Sequence, residues 1–424
     1  VKKSRFAIFS LCMFLTSMWV FCPTRAPAGE NESQTILAVF HPYRRGTPHV
    51  EGITVGMHLG QANWQVAAPV LPPELLALLQ AGEFTISVQE TTDLPVNDSY
   101  IAATLRRNGQ VQIGTDGHPT NYEAGLPFPL LDQHDPQAGL KAAWNNRLRD
   151  GGDTRQIWAA VTLRDSSGRD LRSLKFYYAQ LYGMHRVKAE LNIPTWEKER
   201  VLYKEYMESL APADIVGGQR LTKRYCQDLL AEEDWAYNPR TRRVHKLVSN
   251  LQEAAMGLNF LREDASGFSG HFHTYSWRYL GEKTILVPGI VKGCKVELGG
   301  RGRWYPTQPW ELRRMVVVEA VPQTSHHPYG RRVLYFDKQT YAIFLSFIYN
   351  RQGQHQRTFF LSYGHPAYCS WNTGVDVRVP ILIHESWIDH QAERATVYVS
   401  QKARYNQPLS PSLFTIGGML FRGK

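Results

Sequence analysis

Few residue groups in this chain have the types and spacing for chemistry. His271-x-His273 and His326-His327 are the compact histidine groups, and alternation along a strand would turn His271 and His273 to one side, as a metal ion requires. No neighbouring cysteine or paired carboxylate completes a ligand set in sequence, so both groups read as solvated loop histidines and no metal is expected. Glu232-Glu233-Asp234 has the carboxylates a glycosidase uses, but the run precedes Trp235 as a solvated turn would. The chain has no GxSxG elbow, Walker loop, HExxH or CxxC, and no dinucleotide fingerprint opening a helix after a strand. No catalytic residue and no cofactor are therefore expected.

Two aromatic segments fit binding better than catalysis. In "DWAYNPRTRRVHKL", Trp235 and Tyr237 alternate to one face, Asn238-Pro239 makes a turn, and Arg242, Arg243, His245 and Lys246 follow on the return strand. Such a hairpin could hold an acyl chain against its rings while the cations meet an acidic head group, although core aromatics with exposed cations share the pattern. In "NYEAGLPFPL", Pro127 and Pro129 fix their own backbone and extend Leu126 and Phe128. This predicts a stiff strap that seats Tyr122 and Phe128 against the core, with Gly125 at the bend. Trp277 and Tyr279 of "SWRYLGEKTILVPG" and Phe344 of "YAIFLSFIYN" complete the set of candidate ligand contacts.

The elements that must position these residues are mostly strands. Pro72-Pro73 opens a helix over "ELLALLQ" that Gly82 ends, and "QAGLKAAWNNRLRD" reads as a second helix closed by Gly151-Gly152. Between them "FTISVQET" alternates as a strand, and Ser99–Arg107 is expected to pair through Asn108-Gly109 with "QVQIGTD" as a hairpin. From Ile157 onward, successive β-type runs separated by short polar turns predict an antiparallel meander, interrupted by a helical segment near Leu251 to Phe268. Both faces of "YAIFLSFIYN" are largely apolar, whereas a sheet with one wet face should alternate. The sheet is therefore covered on both faces or curved around an apolar space, as in barrels that host lipidic ligands.

Lys2, Lys3 and Arg5, the apolar run Phe6 to Cys22 and Ala26-Pro27-Ala28 have the form of a secretory signal peptide, with an uncleaved membrane anchor as the alternative that the long apolar run leaves open. Trp19-Val20-Phe21 is not the small-residue stretch that a lipoprotein signal places before its cysteine, so a soluble periplasmic chain starting near Gly29 is expected. The leader holds four cations, so the net charge of +10 falls to +6 without it. The remaining Lys and Arg residues are scattered, which argues against nucleic acid as a partner. Cys226, Cys294 and Cys369 remain, allowing at most one disulfide, and the sequence leaves open whether any two pair. The fold must then rest on its core, which an aromatic content of 12% can supply.

Several motifs in register, "GHPTNYEAGLPFP", "LKAAWNNRLR", "DWAYNPRTRRVHKL", "ELRRMVVVEAV", "RRVLYFDKQTYAIFLSFIYNRQG" and "PSLFTIGGMLFRG", resemble an exported proteobacterial family of unknown function. Its members carry an outer-membrane lipoprotein-sorting name and are similar in fold to the LolA/LolB lipoprotein carriers. The resemblance runs from about Val55 to the end of the chain. It implies an α+β, mainly antiparallel β fold: a curved, incomplete β-barrel with helices in or on its concave face. The expected organisation is a signal peptide (1–28), a loose arm (29–55), an α+β segment with the strap (56–155) and the half-barrel (156–424), the last two forming one unit. The expected function is a non-enzymatic periplasmic carrier of a lipid, a lipoprotein acyl chain or another hydrophobic molecule. The alternatives are an envelope scaffold or accessory protein of an RND-type transporter, and an envelope hydrolase. Expected partners are the hydrophobic ligand or lipoprotein and an inner-membrane transporter or outer-membrane protein.

Overall fold

Nearly every β-type run read from Ile157 onward is a strand in the computed structural model, which describes residues 28–372 and 376–423. The expected signal peptide lies outside the described residues except for Ala28. The chain begins with α1 (Ala28–Phe40), β1 (His58–Leu59), α2 (Pro73–Gln80), β2 (Ile86–Gln89), α3 (Asp98–Arg107), a ribbon of β3 (Gln112–Ile113) with β4 (Pro119–Thr120), and α4 (Ala138–Arg147). The meander opens with β5 (Thr154–Asp165), β6 (Asp170–Tyr182), α5 (Pro194–Lys198), β7 (Val201–Ala211), β8 (Gln219–Tyr225), β9 (Glu233–Asn238) and β10 (Arg243–Leu247). It continues with β11 (Tyr275–Pro288), a ribbon of β12 (Leu298–Gly299) with β13 (Tyr305–Pro306), β14 (Trp310–Pro322), β15 (Arg331–Asp337), β16 (Ile343–Tyr349), β17 (His355–Gly364), β18 (Ile381–Asp389) and β19 (Arg394–Tyr405). Helix α6 (Ile416–Arg422) follows.

One 15-stranded sheet contains all of these strands except the two ribbons. Its order is β11-β14-β15-β16-β17-β18-β19-β5-β6-β7-β8-β9-β10, with β2 joining β14 in parallel and β1 joining β2. Strands β10 and β11 do not pair with each other, so the barrel stays open. A sheet this wide curls, and its bulges set where: the register shifts at Lys175/Phe176 in β6, Val201/Tyr203 in β7 and Ser400/Lys402 in β19. The central strands are covered on both faces, as their two apolar sides require, and all seven residues of β16 are buried.

Strands β6 to β9 differ, because their two faces meet different partners. Tyr177, Ala179, Leu181, Tyr206, Leu221 and Tyr237 pack outward against Trp196 of α5 and against Phe414 and Met419 at the C-terminal end. Phe176, Tyr178, Gln180 and Tyr182 point the other way. Helix α4 lies against β11, where Gly139 brings it so close to Trp277 and Arg278 that a Cβ would sit 2.8 Å from their backbone. None of the helices among the described residues is long and apolar enough to cross a membrane.

Three local expectations change. Residues 98–107 form α3 in place of a hairpin strand: the Asn97 side chain caps it by accepting from Ser99 N–H, and Tyr100, Ile101, Ala103 and Thr104 bury one helical face. Asn108-Gly109 then terminates this helix, with Gly109 at φ +73°. The expected loose arm contains α1, held by buried Ile36, Val39 and Phe40. Residues 251–268 contain two short 3₁₀ turns, Ala255–Gly257 and Arg262–Gly267, and no α-helix. Cys294 and Cys369 form a disulfide, while Cys226 is free and buried.

Candidate functional site

The curl of the sheet leaves a cavity of about 330 Å³ between the inward faces of β5 to β8 and β17 to β19 and the segment 251–269 that covers them. The wall is chemically mixed. Ile157, Val161, Phe176, Met207, Phe260 and Phe268 supply apolar surface, and Tyr178, Tyr182, Tyr203, Tyr363, Tyr398 and Tyr405 supply rings with polar tips. Pockets of this size with a few converging polar groups suit a small amphipathic ligand.

Buried hydrogen bonds fasten the covering segment. The Glu385 carboxyl accepts from the backbone N–H of Ser266 (3.0 Å) and Gly267 (2.8 Å), and burial pushes its pKa well above the ordinary carboxyl range. Phe260 stacks on Trp387 with ring centres 4.0 Å apart, and Trp387 Nε1 donates to the Asp264 carbonyl. Below the segment, Arg332 bridges Glu263 (2.7 Å) and Asp264 (3.2 Å), while the hydroxyls of Tyr275 and Tyr329 donate to those carboxylates. Gly267 has φ +82°, and a Cβ there would meet Ile343 at 2.7 Å, so the segment lies flush on β16. Removing one partner from such a buried ionic network costs about 3–5 kcal/mol.

Six arginines contribute to the cavity wall, Arg220, Arg224 and Arg262 in ion pairs with carboxylates. Arg147, Arg149 and Arg155 are the others, and none of the three has an ion-pair partner among the described residues. Arg149 donates to the Asn146 carbonyl (2.7 Å), Arg155 Nε to the Gly151 carbonyl (2.7 Å), and Arg147 to the Gly270 carbonyl (2.6 Å). Burial lowers the pKa of Arg149 and holds that of Arg147 down to about 10, with Arg155 and Arg224 respectively adding like-charge repulsion. Each guanidinium has five N–H donors, so these groups keep donors for an anion that would relieve both penalties. The Gly151-Gly152 turn permits the arrangement, because a side chain at Gly151 would collide with the Arg155 guanidinium.

None of the nine residues proposed from sequence belongs to the cavity wall. Tyr122 lies in the strap, with its hydroxyl on the Gly125 carbonyl and its ring against His185. Phe128 exchanges two backbone hydrogen bonds with the Asn145 side chain of α4. Gly125 makes the bend with φ +90°, so close to Thr104 of α3 that no Cβ fits. Trp235 and Tyr237 do form a hairpin, but Tyr237 faces the outer cluster and donates to the Gly423 carbonyl. Arg242 and Arg243 sit exposed at its turn. Trp277 packs on Phe268 and Phe272 behind the cavity, Tyr279 is half-buried on β11, and Phe344 fills the core against Tyr363.

The charged clusters read as solvated are mostly buried. Glu232 pairs with Arg224 (2.9 Å), and Asp234 takes Arg220 (2.8 Å), Arg262 (3.0 Å) and the Thr222 hydroxyl. His327 is buried against Glu263, and His271 contacts Asp228 and Glu232. The pairings of Glu232 and Asp234 depend on the turn after β8 and on β8–β9 pairing, and those of His271 and His327 on segments far apart in sequence. The one local trace of the cavity arginines is three cations flanking Gly151-Gly152 in "RLRDGGDTR".

A family model described as "Protein of unknown function (DUF1329)" matches residues 59–415. The chain belongs to this family. The family resemblance carried by the sequence motifs is thereby borne out. No curated protein matches the chain. Three solved structures are similar to this DUF1329 chain. A Vibrio parahaemolyticus domain named for outer membrane lipoprotein sorting is 18% identical, with a TM-score of 0.47 over 68% of this chain and 100% of its own. A DUF1329 protein from Desulfovibrio piger is 16% identical, with a TM-score of 0.47 over 67% and 99%. A LolA superfamily protein from Nitrosomonas europaea is 12% identical, with a TM-score of 0.39 over 66% and 97%.

Proposed function

We propose that this DUF1329 protein is a periplasmic, non-enzymatic carrier whose ligand is an amphipathic molecule with an acyl or similar apolar body and an acidic group. The observation that carries this reading is the cavity of about 330 Å³, whose wall combines apolar side chains and tyrosines with Arg149 and Arg155, which have no carboxylate partner among the described residues. The apolar body would lie along Phe176, Met207 and Phe260, where each buried methylene contributes about 0.8 kcal/mol before ordering costs. The acidic group would take the free donors of the arginines. A lipid, a lipoprotein acyl chain and a free fatty acid share this chemistry.

Release would require the covering segment 251–269 to lift, because it forms one wall and is tied down by Glu385 and Trp387. Such a step suits a protein that hands its ligand to a membrane partner. Displacement of an environment-sensitive fluorescent fatty acid from the delipidated protein tests the proposal. Saturable one-to-one uptake supports carriage. A protein that takes up neither the probe nor detergent would instead favour the scaffold or transporter-accessory reading.

A further inference from the structure

We propose that Asp228, His271 and His273 bind a divalent transition-metal ion of the zinc class, with Glu232 as the outer carboxylate that orients His271. The site adjoins the cavity through Glu232, which contributes to its wall, but it does not depend on the carrier reading.

The histidines lie on either side of Phe272, whose ring is anchored by Trp144 at 4.7 Å and Trp277 at 5.4 Å. That anchor turns both imidazoles toward the loop after β8, which carries Asp228. One nitrogen from each histidine and one Asp228 oxygen lie within 4.8 Å of one another. His271 Nδ1 is 3.4 Å from Asp228 Oδ1, and His273 Nδ1 is 3.1 Å from Asp228 Oδ2. The His273 backbone N–H also donates to Oδ2 at 2.8 Å, which fixes the carboxylate plane.

The gap between two buried polar atoms points to a cation. Glu232 Oε2 lies 3.2 Å from His271 Nε2, and an ionised carboxylate can only accept, so Nε2 carries the hydrogen. His271 Nδ1 faces Asp228 Oδ1 at 3.4 Å, longer than a well-formed hydrogen bond. Both atoms are buried without a hydrogen-bond partner, and Asp228 is only 7% exposed. A charge-assisted hydrogen bond would close this gap to about 2.8 Å. Two ligands on one tetrahedral zinc, at metal distances of about 2.0–2.2 Å, lie about 3.3 Å apart. The 3.4 Å from His271 Nδ1 to Asp228 Oδ1 fits that spacing, and His273 Nδ1 stands 3.1 Å from the other carboxylate oxygen, Oδ2, so an ion between the rings would draw on both oxygens of Asp228.

The surroundings are compatible with an ion. Glu232–His271–metal would form the carboxylate–histidine relay that commonly supports such sites. Arg224 is engaged by Glu232 at 2.9 Å and stands 3.9 Å from Asp228 Oδ1. His273 is exposed, which gives an ion a path from solvent and leaves a fourth position for water.

The test uses the full, untagged chain, stripped with chelator and dialysed against zinc and separately against cobalt. We expect one retained equivalent of zinc, the visible bands of tetrahedral cobalt, and a rise in Tm with zinc concentration. His273→Ala removes an exposed imidazole and should abolish stoichiometric retention. Glu232→Gln should weaken affinity about 10–100-fold. His245→Ala, on the exposed face of β10, is the control and should change nothing. Failure of the wild type to retain an equivalent, or equal retention by His273→Ala with native circular dichroism, overturns the proposal.

Discussion

The arginines of the cavity give the most discriminating prediction, because they separate the head of a ligand from its tail. Arg155 spends one N–H on the Gly151 carbonyl, and the other donors of its guanidinium remain available at the cavity wall. A hydrogen bond to a charged group is worth about 1.5–3 kcal/mol. Replacing Arg155 by Gln should therefore weaken a fatty acid by about 2 kcal/mol, roughly thirtyfold in Kd. The primary alcohol of the same chain length lacks the charge and should lose little. Arg149→Gln should behave alike, since Arg149 is held by a single hydrogen bond to Asn146. Competition against a fluorescent fatty acid at neutral pH, with matched acid and alcohol on each variant, reads the difference directly. Circular dichroism checks that the Gly151-Gly152 turn survives. Equal affinity of acid and alcohol for the wild type, or equal weakening of both by the variants, would refute the assignment of the head-group end.

Three further perturbations follow from the same structure. Met207→Trp should fill part of the cavity: displacing three methylenes costs about 2.4 kcal/mol, roughly a fiftyfold loss of probe affinity, with the fold intact by circular dichroism. Asp150 is raised by burial from 3.8 to about 6, so its favourable contribution is complete below pH 4 and is lost as pH rises through 6. Asp150→Asn should thus stabilise the protein by about 1–2 kcal/mol at pH 8, where the half-buried carboxylate is charged, and by little at pH 4. Urea unfolding at the two pH values reads both numbers. Replacing Cys294 and Cys369 together by Ala opens a link across 75 residues and should cost about 2–4 kcal/mol, measured by the shift of the urea midpoint.

Much of the sheet was legible in the sequence because its strands are long, rich in β-branched and aromatic residues, and separated by polar turns. The failures have local causes. Residues 98–107 look like a strand when Asn108-Gly109 is taken as a hairpin turn, yet the burial of Tyr100, Ile101, Ala103 and Thr104 follows a helical stripe. An apolar space within a curved sheet was legible, but not its lining, because a fully apolar strand such as β16 marks a filled interior, with Phe344 packed on Tyr363. The hollow is bounded by β6 to β8, whose inward residues include Gln180, Glu205 and Arg220 and resemble a solvated face in sequence. Buried charges were misread for the same reason. His327 acquires Glu263 only when distant segments meet, and Asp234 meets Arg220 and Thr222 only when β8 and β9 pair, so residue spacing alone carries no sign of either.

The most direct test of the carrier account is native mass spectrometry of the full chain, purified without detergent from the compartment in which it is made. The account predicts a bound species of one amphipathic molecule per protein, released as an acid by mild denaturation and displaced by added fatty acid. A consistently bare mass, unchanged by fatty acid at concentrations that saturate ordinary lipid carriers, would contradict it.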